Sequence, residues 1–158
     1  MYTREQLNQV VKEEEEIVFP SFDREDAFRL AQVVFEMASA EKAPVCCQVV
    51  LNGFEVVRFF LDGTDESNII WLTRKKNSVI ESGGWSSLRC GMERELNGVE
   101  KAWHEDTENY VIRGGGVPIH DKAGKLLGVL CISGMVHFED HALCMSALRK
   151  YMEAKENT

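Results

Sequence analysis

Asn52-Gly53 stands between two runs rich in β-branched and aromatic residues, 45–51 and 54–61. Asn-Gly is the strongest short hairpin signal, because both central residues of the favoured two-residue turn need positive φ. Such a turn sets Leu51 opposite Phe54, Val49 opposite Val56 and Val45 opposite Phe60, leaving one face of the ribbon continuously apolar and the other nearly so toward its far end. A second hairpin is expected near the end of the chain. A strand within 110–119 leads through Asp121-Lys122-Ala123-Gly124 into a strand over 126–133.

Helical spacing surrounds the hairpins. Residues 3–18 carry Leu7, Val10 and Val11, followed by Glu13-Glu14-Glu15-Glu16, which reads as a solvated face whose acids oppose the dipole and fray the last turn. After a joint at Phe19-Pro20-Ser21-Phe22, Asp23 is an N-cap with Asp26 three residues on, and Ala27, Phe28, Leu30, Ala31, Val34, Phe35 and Ala38 form a wide apolar stripe. Pro44 ends this region. A helix over 69–82 breaks at Gly83-Gly84, another starts near Ser86 and passes Met92, and 97–109 is mixed. Residues 139–155 close the chain as a helix with His141, Met145, Leu148 and Met152 on one line. Helix, helix, hairpin, helical insert, hairpin, helix is an α+β order with an antiparallel sheet, not the alternating units of a parallel one.

A length of 158 residues suits a single domain, 1–158, with 1–20 as an N-terminal helical extension and 21–155 as the core. A net charge of -8 argues against nucleic acid as a partner, since phosphate backbones are bound by basic surfaces. No apolar run is long enough to span a bilayer, and the first residues lack the basic-then-apolar order of a secretory signal, so no membrane partner and a cytoplasmic location are expected. Five cysteines without a CxxC pair fit buried, reduced thiols. Cys46 and Cys47 point to opposite faces of a strand and cannot share one metal easily.

Three groups could carry chemistry. Gly114-Gly115-Gly116 lacks the spacing of a dinucleotide fingerprint, and either lines a ligand or lets a strand bend and pack closely on a neighbour. His137 and His141 lie four apart with Asp140 between them. They either form a metal group or mark a helix start at which Glu139 and Asp140 complement the dipole and His137 stays outside. Trp71-Leu72-Thr73-Arg74-Lys75-Lys76, with Ser86-Ser87 downstream, is a basic-aromatic group that either holds a carboxylate or phosphate or is a solvated helix face. No Ser/His/Asp triad can be read from a linear sequence.

Taken together, Asn68-x-x-Trp71, Arg74-Lys75-Lys76, Val79, Ser86-Ser87, Gly114-Gly115-Gly116-x-Pro118-Ile119, Gly128-x-x-x-Ile132-Ser133-Gly134 and Glu139-Asp140-His141 resemble the haem-degrading-domain superfamily, also called GlcG-like or HbpS-like. The resemblance covers roughly residues 20–155 and is nearest to a branch of short, uncharacterised single-domain proteins. It implies a profilin-like fold, a central antiparallel sheet flanked by helices, assembled as homo-oligomers, either dimers or larger rings. It also implies binding or breakdown of haem, or binding of iron. An axial ligand would come from His104, His120, His137, His141, a methionine or a cysteine, and propionates would pair with Arg74, Lys75 or Lys76; no CxxCH attachment motif exists.

Two readings follow. In one, a small anionic ligand such as haem or a related tetrapyrrole meets Trp71, Lys75, Ser86, Ser87, Arg113, Gly115, Ser133 and His141: Trp71 covers an apolar body, Lys75 and Arg113 neutralise an anion, and glycines present amides. A haem Soret band would then depend on His141. In the other, the same positions join protein surfaces in a non-catalytic assembly or adaptor subunit. Ser133-Gly134 and Asp140-His141 are expected to converge at the start of the last helix.

Overall fold

A computed structural model describes residues 1–157. Strand β1 (Cys46–Leu51) turns through Asn52 and Gly53, both at positive φ, into β2 (Phe54–Phe60). Strands β3 (Gly116–His120) and β4 (Leu126–Ser133) form the second hairpin, whose turn is held by the Asp121 carboxylate accepting from the Ala123 and Lys125 amides at 2.9 Å each. The sheet order is β2-β1-β4-β3, all antiparallel. The profilin-like α+β arrangement implied by the resemblance is therefore the one observed.

Around the sheet lie α1 (Arg4–Glu16), α2 (Arg24–Ala40), α3 (Ser67–Glu81), α4 (Ser87–Asn97) and α5 (His137–Glu156). Capping boxes start α1 at Thr3 with Gln6 and α2 at Asp23 with Asp26, each satisfying amides that a helix start leaves free. Leu30 and Val34 of α2 and Ala147 and Leu148 of α5 pack on Cys47, Val49, Leu130 and Ile132 to make the larger core. Burying each large aliphatic side chain contributes roughly 1.5–3 kcal/mol. Leu72 and Val79 of α3 cover the opposite face at Cys46, Val129 and Cys131, so the neighbouring cysteines do point to opposite faces. Leu7 and Val10 of α1 close against Leu88 and Met92 of α4, while Ile17 and Phe19 enter the larger core. All five thiols are free and buried, and burial pushes Cys46 up to about 11 and Cys90 and Cys131 to about 12. Among the described residues, no helix is long and apolar enough to cross a membrane.

Four expectations change. Leu51 does face Phe54, but a bulge at Val56 slips the rest of the hairpin, so that Val49 pairs with Val57 and Cys46 with Phe60. Most of β2 is exposed or half-buried, because it is the sheet's edge. The last helix begins at His137 rather than 139, so His137 stands inside its first turn. The run of four glutamates is not uniformly solvated: Glu14 is buried and its Oε1 accepts from the Ser86 amide at 2.7 Å. Desolvation raises its carboxyl to about 7, with Ser86 and Arg89 pulling the other way.

Candidate functional site

Lys75 is the residue around which this corner is built. Projecting from α3, it is only 4% exposed, and its Nζ donates to the Ile132 carbonyl at 2.8 Å and to Asp140 Oδ2 at 3.1 Å. The other Asp140 oxygen accepts from the Met135 amide at 3.0 Å, fastening the start of α5. Burial raises the Asp140 carboxyl, and Lys75 opposes that rise.

The triple glycine is explained by this pair. A Cβ on Gly115 would stand 2.5 Å from Lys75 Nζ and would also overlap the Ile132 carbonyl, and the backbone there has φ +124°. One on Gly114 would overlap the His137 carbonyl, and one on Gly116 would lie 3.0 Å from the Lys75 carbonyl. The glycines thus permit close approach of β3 to α3 and α5.

In front of this floor opens a cleft with two lobes. The inner lobe, about 630 Å³, is lined by Asn68, Trp71, Lys75, Arg113, Ser133, Met135, Val136, His137 and Asp140 among others. The outer lobe, about 870 Å³, adds Tyr2, Arg74, Arg94, Trp103 and Tyr110. Trp71, Val111, Arg113 and His137 line both, so the two lobes adjoin along these four residues. Arg74 lies over Trp71, 5.0 Å from the ring centre, and its Nε donates to the Glu108 carbonyl at 2.7 Å. Arg113 is exposed and makes no hydrogen bond or ion pair among the described residues, so its guanidinium is free for a ligand.

Trp71, Lys75, Arg113 and Ser133 meet in the inner lobe, where Ser133 Oγ accepts from the Asn68 amide group at 3.3 Å. Ser86, Ser87, Gly115 and His141 are not among its lining residues. Ser86 caps α4 by accepting from the Arg89 amide, and Ser87 Oγ accepts from the Gly116 amide at 2.9 Å; both are fully buried. The start of α5 is indeed where Ser133, Gly134 and Asp140 converge, but His141 turns away. It is 6% exposed, neither ring nitrogen has a partner, and burial lowers it to about 4. His137 lines both lobes, and its Nδ1 accepts from the Gly114 amide at 3.0 Å. Burial, Arg113 and Lys75 lower its pKa, and with Nδ1 accepting, the proton of the neutral ring is on Nε2. His137, Asp140 and His141 are thus separately engaged or buried, and no three His, Cys, Asp or Glu residues gather as a metal group among the described residues.

The aromatic outer lobe, where Arg74, Arg94 and Arg113 stand among Glu95, Glu100 and Glu108, was missed in the sequence. Tyr2, Arg94, Trp103 and Tyr110 come from the first residues, α4 and the mixed 97–109 stretch with its neighbour, and no local periodicity links them.

The comparisons agree with this architecture. A sequence model of the family described as "Haem degrading protein HbpS-like" matches residues 22–149. A UPF0303 protein of Mesorhizobium japonicum is 32% identical over 139 residues, covering 87% of this chain and 83% of that protein. The crystal structure of Ybr137w is similar with a TM-score of 0.84 at 24% identity, over 97% of this chain and 91% of that one. A PduOC:haem complex is similar in fold with a TM-score of 0.66 at 21% identity, over 82% of this chain and 94% of that one.

Proposed function

Because the chain belongs to the HbpS-like family of haem degrading proteins, we propose that its two-lobed cleft binds a planar, amphipathic anion of the tetrapyrrole class. The observation that carries this reading is the unpaired Arg113 guanidinium at the junction of the lobes beside Trp71. Arg113 holds a carboxylate, with the first amides of α5 behind it, whereas the charge of Lys75 is balanced by Asp140. Trp71 and the exposed Val136 offer apolar surface for the ring system.

The residues present fit the carboxylates and ring of haem, but not iron held by histidine or thiolate. His137 carries its proton on the nitrogen that would ligate, His141 lies behind the cleft, and every cysteine is a buried thiol. Met135 and the tyrosines remain as donors on the lining. Affinity in this reading comes from the anionic edge and the ring. Titration with haem and with metal-free protoporphyrin should give dissociation constants within about threefold of each other, and Arg113→Ala should weaken both about tenfold, the loss of one charge-assisted contact. Replacing His141 should leave the haem spectrum unchanged. Absence of binding by both compounds, or haem binding that disappears with His137→Ala while the metal-free ring never binds, would defeat the proposal.

A second reading, protein-protein contact at the same mouth, draws on exposed Ile70, Trp71, Val136 and Phe138. Trp71→Ala separates the two: lost assembly mass in light scattering with ligand affinity retained favours contact, whereas lost affinity at constant mass favours the cleft.

A further inference from the structure

The sheet is open at β2, which pairs with β1 on one side only. Its outward amides and carbonyls therefore lack a ladder partner among the described residues. Aromatic side chains crowd this edge. Phe54 and Phe60 on β2 and Phe28 and Phe35 on α2 are each more than two-fifths exposed. Phe35 stands edge-on to Phe59 with ring centres 5.7 Å apart, and Arg24 lies 4.3 Å from the centre of Phe54. The patch of Phe54 and Phe59 thus extends from the strand onto the helix that covers it, while Phe60, opposite Cys46, stands on the other face of the sheet.

The bulge at Val56 gives the edge a particular symmetry. Without it, Glu55 and Arg58 would point to opposite faces; with it they oppose Val50 and Gln48 of β1, two residues that share a face. Glu55 and Arg58 accordingly meet at 3.0 Å on one side of the strand. Charges on an edge strand ordinarily discourage pairing. Here they have opposite sign at positions that a two-fold axis superposes: an antiparallel neighbour with Glu55 across from Arg58 of the second copy makes the same contact twice. That register also sets Phe54 against Phe59 of the second copy, both on the face covered by α2, and Val56 against Val57.

We propose that β2 is the contact surface for a second copy of this chain, joined antiparallel about a two-fold axis so that the two four-stranded sheets run on as one. The surface is self-complementary, as an isologous contact requires, and main-chain pairing supplies its register. It lies at the opposite edge of the sheet from β3 and does not depend on the ligand reading.

Native mass spectrometry and light scattering test it. The parent chain is expected at a mass of two 17.9 kDa copies or a multiple of two. Arg58→Glu places like charges opposite each other at both ends of the register and should raise the dissociation constant of the pair about a hundredfold. Glu55→Arg should do the same, and serves if far-ultraviolet circular dichroism finds Arg58→Glu unfolded. The double variant Glu55→Arg with Arg58→Glu exchanges the signs, and recovery of the parent mass is the expected result. A parent chain at single-copy mass, a folded single variant that keeps the parent mass, or a charge-exchanged chain that stays apart would each overturn the assignment.

Discussion

Lys75→Met is expected to cost about 3–5 kcal/mol of stability at neutral pH, the usual consequence of removing one partner from a buried ion pair. Lys75 and Asp140 are 4% and 1% exposed, so neither charge can turn to water when the other is lost. Asp140 would keep the Met135 amide as a donor, yet its carboxylate would be left without a counter-charge. Asp140→Asn alone should be costly for the converse reason, leaving Lys75 Nζ with the Ile132 carbonyl only. The double variant Lys75→Met with Asp140→Asn leaves no charge unpaired and retains an acceptor for Met135, so most of the loss should return. Urea unfolding of the four chains gives the coupling directly. A loss below about 1 kcal/mol for Lys75→Met would mean that water reaches the pair, contrary to the burial described.

Stability between pH 7 and pH 4 should tilt in opposite directions when Glu14 or His141 is replaced. Glu14 has a folded value of about 7 against an ordinary 4.5, so the stability it contributes is fully present below 4.5 and disappears as pH rises through 7. His141 has a folded value of about 4 against an ordinary 6.5, so its contribution is present above 6.5 and disappears as pH falls through 4. Each displacement corresponds to about 3 kcal/mol. Burial is the main cause in both; Glu13 raises both groups, Arg89 lowers Glu14, and His137 lowers His141. Over the shared window the two slopes oppose each other. Glu14→Gln should therefore make the chain lose stability relative to the parent as pH falls, and His141→Leu should make it lose stability relative to the parent as pH rises. Unfolding midpoints measured along the pH range give these difference curves, and curves parallel to the parent would show that the groups titrate normally.

Much of the architecture was open to reading because its causes are local. Asn52-Gly53 sets the first hairpin by turn chemistry alone, and Asp23 with Asp26 caps α2 as their spacing suggests. The errors are those in which distant contacts overrule a local pattern. Val56 is indistinguishable from its neighbours by residue type, yet the bulge there moves every later pair of the hairpin by one. Glu14 belongs to a run of four acids, and it is buried because the start of α4 supplies a donor that its neighbours cannot reach. Ser86 and Ser87 carry hydroxyls suited to a ligand, and the fold uses them for an α4 cap and for the Gly116 amide.

What the amino-acid sequence determined by itself was the set of elements, their order and the antiparallel sheet, since periodicity, caps and turn residues act within a few positions along the chain. Which polar side chains face the cleft was decided only by the tertiary structure. Lys75 and Asp140 are 65 residues apart and Glu14 and Ser86 are 72 apart, and each pair exists because packed helices exclude water around it. Burial and pairing of charge depend on three-dimensional distance and solvent access, and a linear pattern carries neither. The same physics leaves Arg113 free at the mouth and His141 hidden behind it.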